Sequence, residues 1–204
     1  MKRVPVHMCF KGNRNYLQGA DLYNAIVKYA SKTTAEKLYA PFRMVIHRFA
    51  HKQCDMILGN PGEILTKPGH LFAEFIFSSD EGNVAGWMVE TERVIDCRNP
   101  YDEKEIERLC VIDVDKKATV IQGDSGYSPI ELAVSMTKQL HYAVYPTDAS
   151  WIFNRLDLEQ LFKPSDSYQI QIELEHNFNN RLTKSKIKVA DETIGYIYFS
   201  LIKK

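Results

Sequence analysis

The chain has 204 residues, 45% of them hydrophobic and 25% charged, which is the composition of a globular protein with a substantial core. Its 26 lysines and arginines balance its 26 aspartates and glutamates, so the charge does not indicate nucleic acid as a partner. No run approaches the ~20 apolar residues that span a membrane, and the N-terminus lacks the apolar core of a signal peptide. We therefore expect a cytoplasmic protein with no membrane partner.

The first half of the sequence predicts a strand, a helix and about four further strands. Residues 3–10 are typical of a short strand. One face of the helix that follows carries apolar residues at helical spacing, namely Leu22, Ala25, Ile26 and Tyr29. Strand-forming segments then lie at residues 40–58, 69–79, 83–95 and 106–115, and we interpret the first of them as one long strand.

The second half repeats this order. A short strand at 117–121 precedes a helix at about 129–143, and further strands are predicted at 149–162, 166–178, 181–189 and 192–204. Apolar and polar residues alternate in one strand, with Tyr168, Ile170, Ile172 and Leu174 on one face and Gln169, Gln171, Glu173 and Glu175 on the other. A turn at 177–180 would place the lysines of the next strand, Lys184, Lys186 and Lys188, opposite these glutamates.

The helix predicted at 129–143 is apolar on nearly every side, unlike a helix at a protein surface. Its apolar residues do not share one narrow stripe: Ile130, Leu132, Ala133, Val134, Met136 and Leu140. An antiparallel sheet that curls around the helix would enclose it. At an offset of 111 residues, Gly12 falls on Gly123 and Tyr16 falls on Tyr127, which together with the matching order of elements indicates an internal repeat.

This order of strand, apolar helix and four strands resembles the hot dog fold, and two copies resemble a double hot dog. We therefore predict an α+β fold of two strand–helix–antiparallel-sheet units, at residues 1–115 and 116–204, whose sheets join edge to edge. The resemblance implies work on acyl groups carried as thioesters of coenzyme A or acyl carrier protein, by thioesterases, dehydratases or hydratases. A fold alone does not establish a function.

The resemblance also implies a site at the start of each central helix, near the joint between two units, where backbone N–H groups can hold an oxyanion. The matching segments are residues 16–24 and 123–131. We expect substrate contacts from Tyr16, Gln18, Gly19, Asp21, Asn24 and Tyr127. Gly19 would let a carbonyl approach the backbone, although a turn into the helix explains this glycine equally well. The pocket would continue into an apolar channel for the acyl chain.

The dehydratases of this superfamily have His-x-x-Gly before the helix and an acid five residues after that glycine. Tyr16 stands in place of the histidine, and Asn24 stands in place of the acid. Ser135 is the residue equivalent to Asn24 in the second half. An amide or a hydroxyl does not replace a carboxylate or an imidazole as acid and base at neutral pH, so dehydration by that mechanism is not expected.

A thioesterase of this superfamily needs a carboxylate that activates water or attacks the carbonyl. Asp124 and Glu131, at the second helix start, are the candidate catalytic residues, and Asp21 lies at the first helix start. Each also has a structural explanation. Asp124 or Ser128 would cap the helix, and Glu131 would complete a capping box with Ser128. Asp21 suits the positive end of its helix.

The histidines and cysteines suggest neither a metal nor a cofactor. The cysteines, at Cys9, Cys54, Cys97 and Cys110, form no C-x-x-C pair, and we expect buried free thiols. His47 and His51 would be ~13 Å apart on a strand, and no third ligand follows at a telling spacing. His141 is either a core histidine or a charge at a helix C-terminus. No dinucleotide-binding or P-loop motif occurs.

Two hypotheses of function follow. The first is an enzyme that handles acyl-CoA or acyl-carrier-protein thioesters, closest to a thioesterase that hydrolyses them. The second is a non-catalytic acyl-binding or assembly protein with a degenerate hot dog site, which Asn24 and Ser135 favour. A structural partner in a larger complex is a third class. The sequence does not fix the oligomeric state: two fused units allow either a monomer or a homodimer.

Overall fold

The structure is a computed structural model of the chain and describes residues 1–33, 38–63 and 70–202. The chain divides into two compact units, Met1–Tyr101 and Asp102–Lys204. From the sequence, the two repeats are predicted to cover residues 1–115 and 116–204. These repeat boundaries remain a prediction. Among the described residues, no helix has the length and apolar character needed to cross a membrane.

The first unit combines one long helix with an antiparallel sheet. Its elements are β1 (Lys2–Val6), β2 (Phe10–Lys11), α1 (Gly19–Thr33), β3 (Tyr39–Ile46), β4 (Cys54–Gly59), β5 (Leu71–Ser79), β6 (Gly82–Glu90) and β7 (Arg98–Asn99). Strands β1, β4, β6, β5 and β3 are neighbours in that order, and each pair is antiparallel. The short strands β2 and β7 form a separate parallel pair.

Helix α1 places its predicted apolar face in the core of the first unit. Its buried residues are Ala20, Leu22, Tyr23, Ala25, Ile26 and Ala30. Tyr23 packs edge-on against Phe42 of β3, with ring centres 5.2 Å apart. Leu22, Ala25 and Ile26 therefore have the role predicted for them, since each removes apolar surface from water.

The single long strand predicted at 40–58 is wrong, because the chain leaves the sheet between β3 and β4. His47 and His51 lie on this connection and not on a strand. The connection is fixed by hydrogen bonds to the segment before α1. Leu17 N donates to Ala50 O at 2.8 Å. In addition, the Gln53 side-chain amide pairs with both backbone groups of Met8, at 2.8 and 2.9 Å.

Glu90, at the end of β6, anchors the same connection. Its carboxylate accepts hydrogen bonds from the backbone N–H groups of His51 and Lys52, at 2.5 and 2.9 Å, and from the Arg48 guanidinium at 2.7 Å. Partial burial favours the neutral acid, but the donors of His51, Arg48 and Lys52 outweigh it and lower the pKa of Glu90. The connection is thus held by a charged hydrogen-bond acceptor where strand pairing is interrupted.

The second unit has a similar plan, but its antiparallel sheet has six strands instead of five, and it contains an additional short helix. Its elements are α2 (Glu103–Leu109), β8 (Cys110–Asp113), β9 (Ala118–Ile121), α3 (Pro129–Val144), β10 (Ser150–Leu158), a 3₁₀ turn (Pro164–Tyr168), β11 (Ile170–Phe178), β12 (Leu182–Val189) and β13 (Glu192–Ile202). The strand order is β8, β9, β11, β12, β13, β10, and each pair is antiparallel.

The strand predicted at 106–115 is wrong in its first part, which belongs to α2. Asp102 caps this helix, and its side chain accepts from Lys104 N at 3.0 Å. Ile106 is fully buried, and Lys138 of α3 pairs with Glu103 at 3.0 Å. A single buried residue in a charged segment does not produce a clear helical period, so the sequence pattern misses this helix.

The burial predicted for α3 is confirmed. Five apolar residues of this helix are fully buried, namely Ile130, Leu132, Ala133, Met136 and Leu140. The helix packs against α2 and against strands β8, β9, β10, β11 and β13. Enclosure on several sides explains why the apolar residues of α3 do not share one stripe.

The hairpin of β11 and β12 also agrees with its prediction, except that Tyr168 does not face inward: it ends the 3₁₀ turn before β11 and is exposed. Its turn contains Asn179 and Asn180 with φ of 54° and 53°, the left-handed backbone that asparagine tolerates. The lysines of β12 meet the glutamates of β11: Lys184 and Glu175 lie 2.7 Å apart, Lys186 and Glu175 3.7 Å, and Lys188 and Glu173 2.8 Å. Ile170 and Ile172 point inward and are buried.

The two units reach similar sheets by different strand orders. In the second unit β11, β12 and β13 are successive neighbours in sequence and in space. In the first unit β4 pairs with β6, and β5 lies on the far side of β6. In the first unit β6 therefore lies between β4 and β5, which follow one another in the chain. In the second unit the successive strands β11 and β12 are direct neighbours and form a hairpin.

Candidate functional site

Gln18 immediately precedes helix α1. Its backbone oxygen accepts from Leu22 N at 3.0 Å, so it occupies the first position of the hydrogen-bonded helix. The first N–H groups of a helix have no partner within the helix. Among the described residues, the buried Nε2 of Gln18 has no hydrogen-bond partner. A buried amide donor on the residue before a helix is suited to bind an oxygen that gains negative charge.

Asp21 lies in the first turn of α1 and is held by a buried lysine. Its Oδ1 lies 2.9 Å from Lys11 Nζ, and the Lys11 side chain is only 9% exposed. The ammonium also lies 5.0 Å from the centre of the Tyr101 ring. Burial removes water from the ammonium, which costs free energy. The pairing with Asp21 offsets part of this desolvation cost. The carboxylate is therefore fixed at the positive end of the helix.

The other residues predicted in the first unit lie on either side of this turn. Tyr16 is half-buried and packs against Phe49, with ring centres 4.5 Å apart. Asn24 is half-buried on α1 itself. Gln18, Gly19 and Asp21 thus share the start of the helix, whereas Tyr16 belongs to an aromatic contact that closes the preceding loop.

Asp124 is exposed and organises the loop before α3. Its Oδ1 accepts from Gly126 N at 2.9 Å, and its Oδ2 accepts from the Tyr168 hydroxyl at 3.2 Å. The hydrogen bond to this carboxylate raises the pKa of Tyr168. Gly123 and Gly126 have φ of 104° and 69°, so the loop uses backbone conformations that glycine adopts without strain. Asp124 does not cap α3, because Ser128 takes that position.

Glu131 completes the capping box that the sequence predicts. Its Oε2 accepts from the Ser128 backbone N–H at 2.9 Å and from the Ser128 hydroxyl at 2.5 Å. Pro129 begins the helix, where its missing N–H costs nothing. One carboxylate oxygen of this candidate base therefore serves the helix start.

Tyr127 joins the start of α3 to the start of α2. Its hydroxyl accepts from Asp102 N at 3.0 Å and donates to Asp102 O at 3.4 Å. Its backbone oxygen accepts from the Ser167 hydroxyl at 3.3 Å. Ser135, the residue equivalent to Asn24, is fully buried, and its Oγ lies 3.1 Å from Gln139 Nε2.

His141 is a core histidine, one of the two alternatives left by the sequence. It is fully buried, and its ring centre lies 4.7 Å from that of Trp151 and 5.2 Å from that of Phe199. Burial lowers the pKa of His141 to about 3, so the ring is neutral at neutral pH. Its Nε2 lies 3.5 Å from Ser185 Oγ. Within the described part of the chain, His141 Nδ1 and Trp151 Nε1 have no hydrogen-bond partner.

Cys9 and Cys97 form a disulfide, with Cα atoms 4.9 Å apart, so the expectation of free thiols is wrong for this pair. Cys54 and Cys110 are free thiols, as expected. Burial raises the pKa of Cys54 to about 12 and the pKa of Cys110 to about 11. His7 Nε2 lies 4.0 Å from Cys9 Sγ and 3.6 Å from Cys97 Sγ. These three residues could together hold a metal ion. The sequence signal was His-x-Cys at 7–9, because alternate residues of an extended chain face the same side.

No protein-family model matches the chain, and no curated protein matches it. Solved structures do match. One is the dehydratase domain of PpsC from Mycobacterium tuberculosis in complex with C12:1-CoA, which is 8% identical with a TM-score of 0.50 over 98% of this chain and 92% of that chain. Another is the pyran synthase domain from module nine of the sorangicin pathway, 11% identical with a TM-score of 0.51 over 100% and 95% of the two chains.

These are hot dog structures, and the chain therefore has the hot dog fold. The prediction of an α+β double hot dog is confirmed. At such low identity the likeness concerns the fold alone.

Proposed function

We propose that the chain handles acyl thioesters of coenzyme A or of an acyl carrier protein, and that it hydrolyses them as a thioesterase does. The observation that carries the proposal is the buried Gln18 amide, whose Nε2 lacks a hydrogen-bond partner among the described residues. A buried donor without an acceptor costs stability, so a ligand oxygen at that position would relieve a real penalty. The fold supports the substrate class, because the structure of the PpsC dehydratase domain, which has the same fold, is of a complex with C12:1-CoA.

The chemistry at the start of α1 follows from its donors. Gln18 Nε2 and the first N–H groups of the helix donate to the thioester oxygen as the carbonyl carbon becomes tetrahedral. A water oxygen bonds to that carbon while a carboxylate takes the water proton. The C–S bond then breaks, the C=O bond re-forms, and the carboxylate returns the proton to the leaving thiolate. The products are a carboxylic acid and a thiol.

Carboxylates lie at both helix starts, but we give them different roles. At α1, Asp21 is held by Lys11, and we assign it to substrate contact together with Tyr16, Gly19 and Asn24. At α3, Asp124 and Glu131 are the proposed catalytic carboxylates, and Tyr127 is the proposed substrate contact. Asp124 is the stronger candidate, because it is exposed and its partners are one hydroxyl and one backbone N–H. Glu131 has less freedom, since it closes the helix cap.

The test is hydrolysis of acyl-CoA substrates of increasing chain length by the full chain, measured as thiol release. We expect Gln18→Leu, which keeps the size and removes the donor, to lower kcat/KM roughly 10²-fold while the free energy of unfolding stays equal or rises. Gln160→Leu is the matched control, because Gln160 is exposed and should change neither quantity. Unchanged kcat/KM in Gln18→Leu would exclude the α1 start as the oxyanion site.

Asp124→Asn and Glu131→Gln test the proposed base with little change of shape. Loss of hydrolysis in one variant, with unchanged stability, would identify the base. Hydrolysis at the full rate in both variants would show that neither carboxylate activates water.

A second candidate function is acyl binding without catalysis. One observation favours it: the two proposed carboxylates already serve a turn and a helix cap. In that case no acyl-CoA is hydrolysed above background, yet a non-hydrolysable acyl-CoA thioether binds saturably and Gln18→Leu weakens the binding. Isothermal titration with that thioether separates the two functions.

A further inference from the structure

The disulfide of the first unit has a histidine beside it, and the thioester chemistry uses none of the three residues. Cys9 directly precedes β2 and Cys97 directly precedes β7. The two strands form the parallel pair, and Phe10 N donates to Cys97 O at 3.0 Å. His7 is exposed and the two cysteines are half-buried. The backbone thus holds three potential ligand atoms together at a position that solvent reaches.

The distances suit tetrahedral coordination of a transition metal. With Zn–N near 2.0–2.1 Å and Zn–S near 2.3 Å, tetrahedral ligand atoms N and S are about 3.6 Å apart. His7 Nε2 lies 3.6 Å from Cys97 Sγ and 4.0 Å from Cys9 Sγ. The separation of His7 from Cys97 therefore already matches, and that of His7 from Cys9 is about 0.4 Å longer than the tetrahedral value. The third separation requires the two sulfurs to be about 3.8 Å apart, which only the reduced cysteines can adopt.

We propose that His7, Cys9 and Cys97 form a redox-gated site for Zn²⁺ or a similar transition-metal ion. In the oxidised chain the disulfide occupies the two sulfurs and excludes the ion. A dithiol reductant transfers two electrons and two protons to the disulfide: the S–S bond breaks, two thiols form, and the dithiol becomes a cyclic disulfide. The ion then displaces one proton from each thiol and binds two thiolates and the neutral imidazole.

The ligand set also defines the class of ion. Two thiolates and one imidazole favour zinc and related ions over magnesium or calcium, which prefer oxygen ligands. Three protein ligands leave a fourth tetrahedral position for water or an external ligand. Rotation about the Cα–Cβ bonds of the two cysteines separates the sulfurs, so the pairing of β2 with β7 can persist in both forms.

The test uses the full chain, reduced with a dithiol under argon and freed of reductant, and titrated with Co²⁺ as the spectroscopic probe. We expect one Co²⁺ per chain, with thiolate-to-cobalt charge-transfer absorption and the intense visible bands of a tetrahedral site, and release of two protons per ion. Zn²⁺ should displace the cobalt and bleach the bands. The oxidised chain should show no bands at the same metal concentration.

Variants locate the site. Cys9→Ser and Cys97→Ser should each abolish the charge-transfer band, and His7→Asn should weaken cobalt binding while some band intensity remains at high cobalt. Cys110→Ser is the matched control, because this free cysteine lies in the second unit and should leave the titration unchanged. Circular dichroism establishes that each variant is folded, and Cys→Ala versions replace any serine variant that is not.

The outcome that overturns the proposal is a reduced, folded wild-type chain without the cobalt bands. Bands that persist in both Cys9→Ser and Cys97→Ser would equally exclude this site. Neither result depends on thioester hydrolysis.

Discussion

Acidification should destabilise the second unit through one buried histidine. The pKa of His141 is lowered to about 3 in the folded chain, because burial among Trp151 and Phe199 disfavours the imidazolium. In the unfolded chain a histidine titrates near 6.5. Below that pH the unfolded chain binds a proton that the folded chain does not. The free energy of unfolding therefore falls as the pH drops through 6.5 and continues to fall until about pH 3.

The size of the effect follows from these two pKa values. At pH 7.5 the unfolded histidine is almost entirely neutral, so the cost is close to zero. At pH 5.0, which is about 1.5 units below the pKa of the unfolded histidine, protonation stabilises the unfolded chain by about 2 kcal/mol. Glu90, whose pKa is lowered in the folded chain, loses its contribution only at lower pH, so this window isolates the histidine.

Urea denaturation of the full chain at pH 7.5 and pH 5.0 measures the difference. We expect the wild type to lose about 2 kcal/mol between the two pH values and His141→Phe to lose about 2 kcal/mol less, because phenylalanine keeps the aromatic contacts and does not titrate. His176→Gln is the control, since this histidine is exposed and should leave the wild-type pH dependence intact. Equal losses in wild type and His141→Phe would refute the reasoning.

Three further substitutions test the packing and the caps by chemical denaturation. Leu140→Ala should cost about 2–5 kcal/mol, because the side chain is fully buried in the core of the second unit. Gly86→Ala should cost about 1–3 kcal/mol, because the added Cβ would lie within 2.1 Å of the Phe75 ring, which covers this glycine. Glu131→Ala should cost about 0.5–2 kcal/mol by removing the acceptor for Ser128, whereas Glu131→Gln keeps an acceptor and should stay near the wild type.

Each of these predictions has its own control. Val111→Ala should change stability by less than about 0.5 kcal/mol, since Val111 is half exposed, and a similar value for Leu140→Ala would mean that Leu140 is not enclosed. Adding Phe75→Leu to Gly86→Ala should recover part of the loss; strictly additive losses would show that the ring is not the obstacle. A Glu131→Gln variant as unstable as Glu131→Ala would contradict the cap.

The sequence predicts most of the fold because its strongest signals are local and periodic. The apolar residues of α3 do not fit on one face of the helix, so the sequence predicts that the helix is buried on several sides. The alternation of apolar and polar residues around Ile170 and Ile172 predicts the inward face of β11. Two errors have the same cause. The connection at 47–53 leaves the sheet because of hydrogen bonds to residues such as Leu17, which are distant in sequence, and α2 presents only Ile106 to the core.

The candidate site is harder to predict from the sequence, because its side chains contact residues that the spacing of residues along the chain does not reveal. The capping box of Ser128 and Glu131 is readable, since both partners lie within one turn. The pairing of Lys11 with Asp21 and the isolation of the Gln18 amide are not, since they result from packing. The Cys9–Cys97 disulfide was missed for a related reason: its partners are separated by 88 residues.

The different strand orders of the two units have a consequence for how the chain reaches its structure. In the second unit β11, β12 and β13 pair through two successive hairpins, so their contacts close short loops and cost little chain entropy. In the first unit β4 pairs with β6, and the whole of β5 lies between these two strands in the chain. The contact between β4 and β6 therefore closes a longer loop. Because local contacts form faster than distant ones, amides of β12 and β13 should gain protection before those of β4 in pulsed hydrogen exchange during refolding. Strands β12 and β13 would then be paired before β4, although β4 precedes them in the chain and is synthesised first.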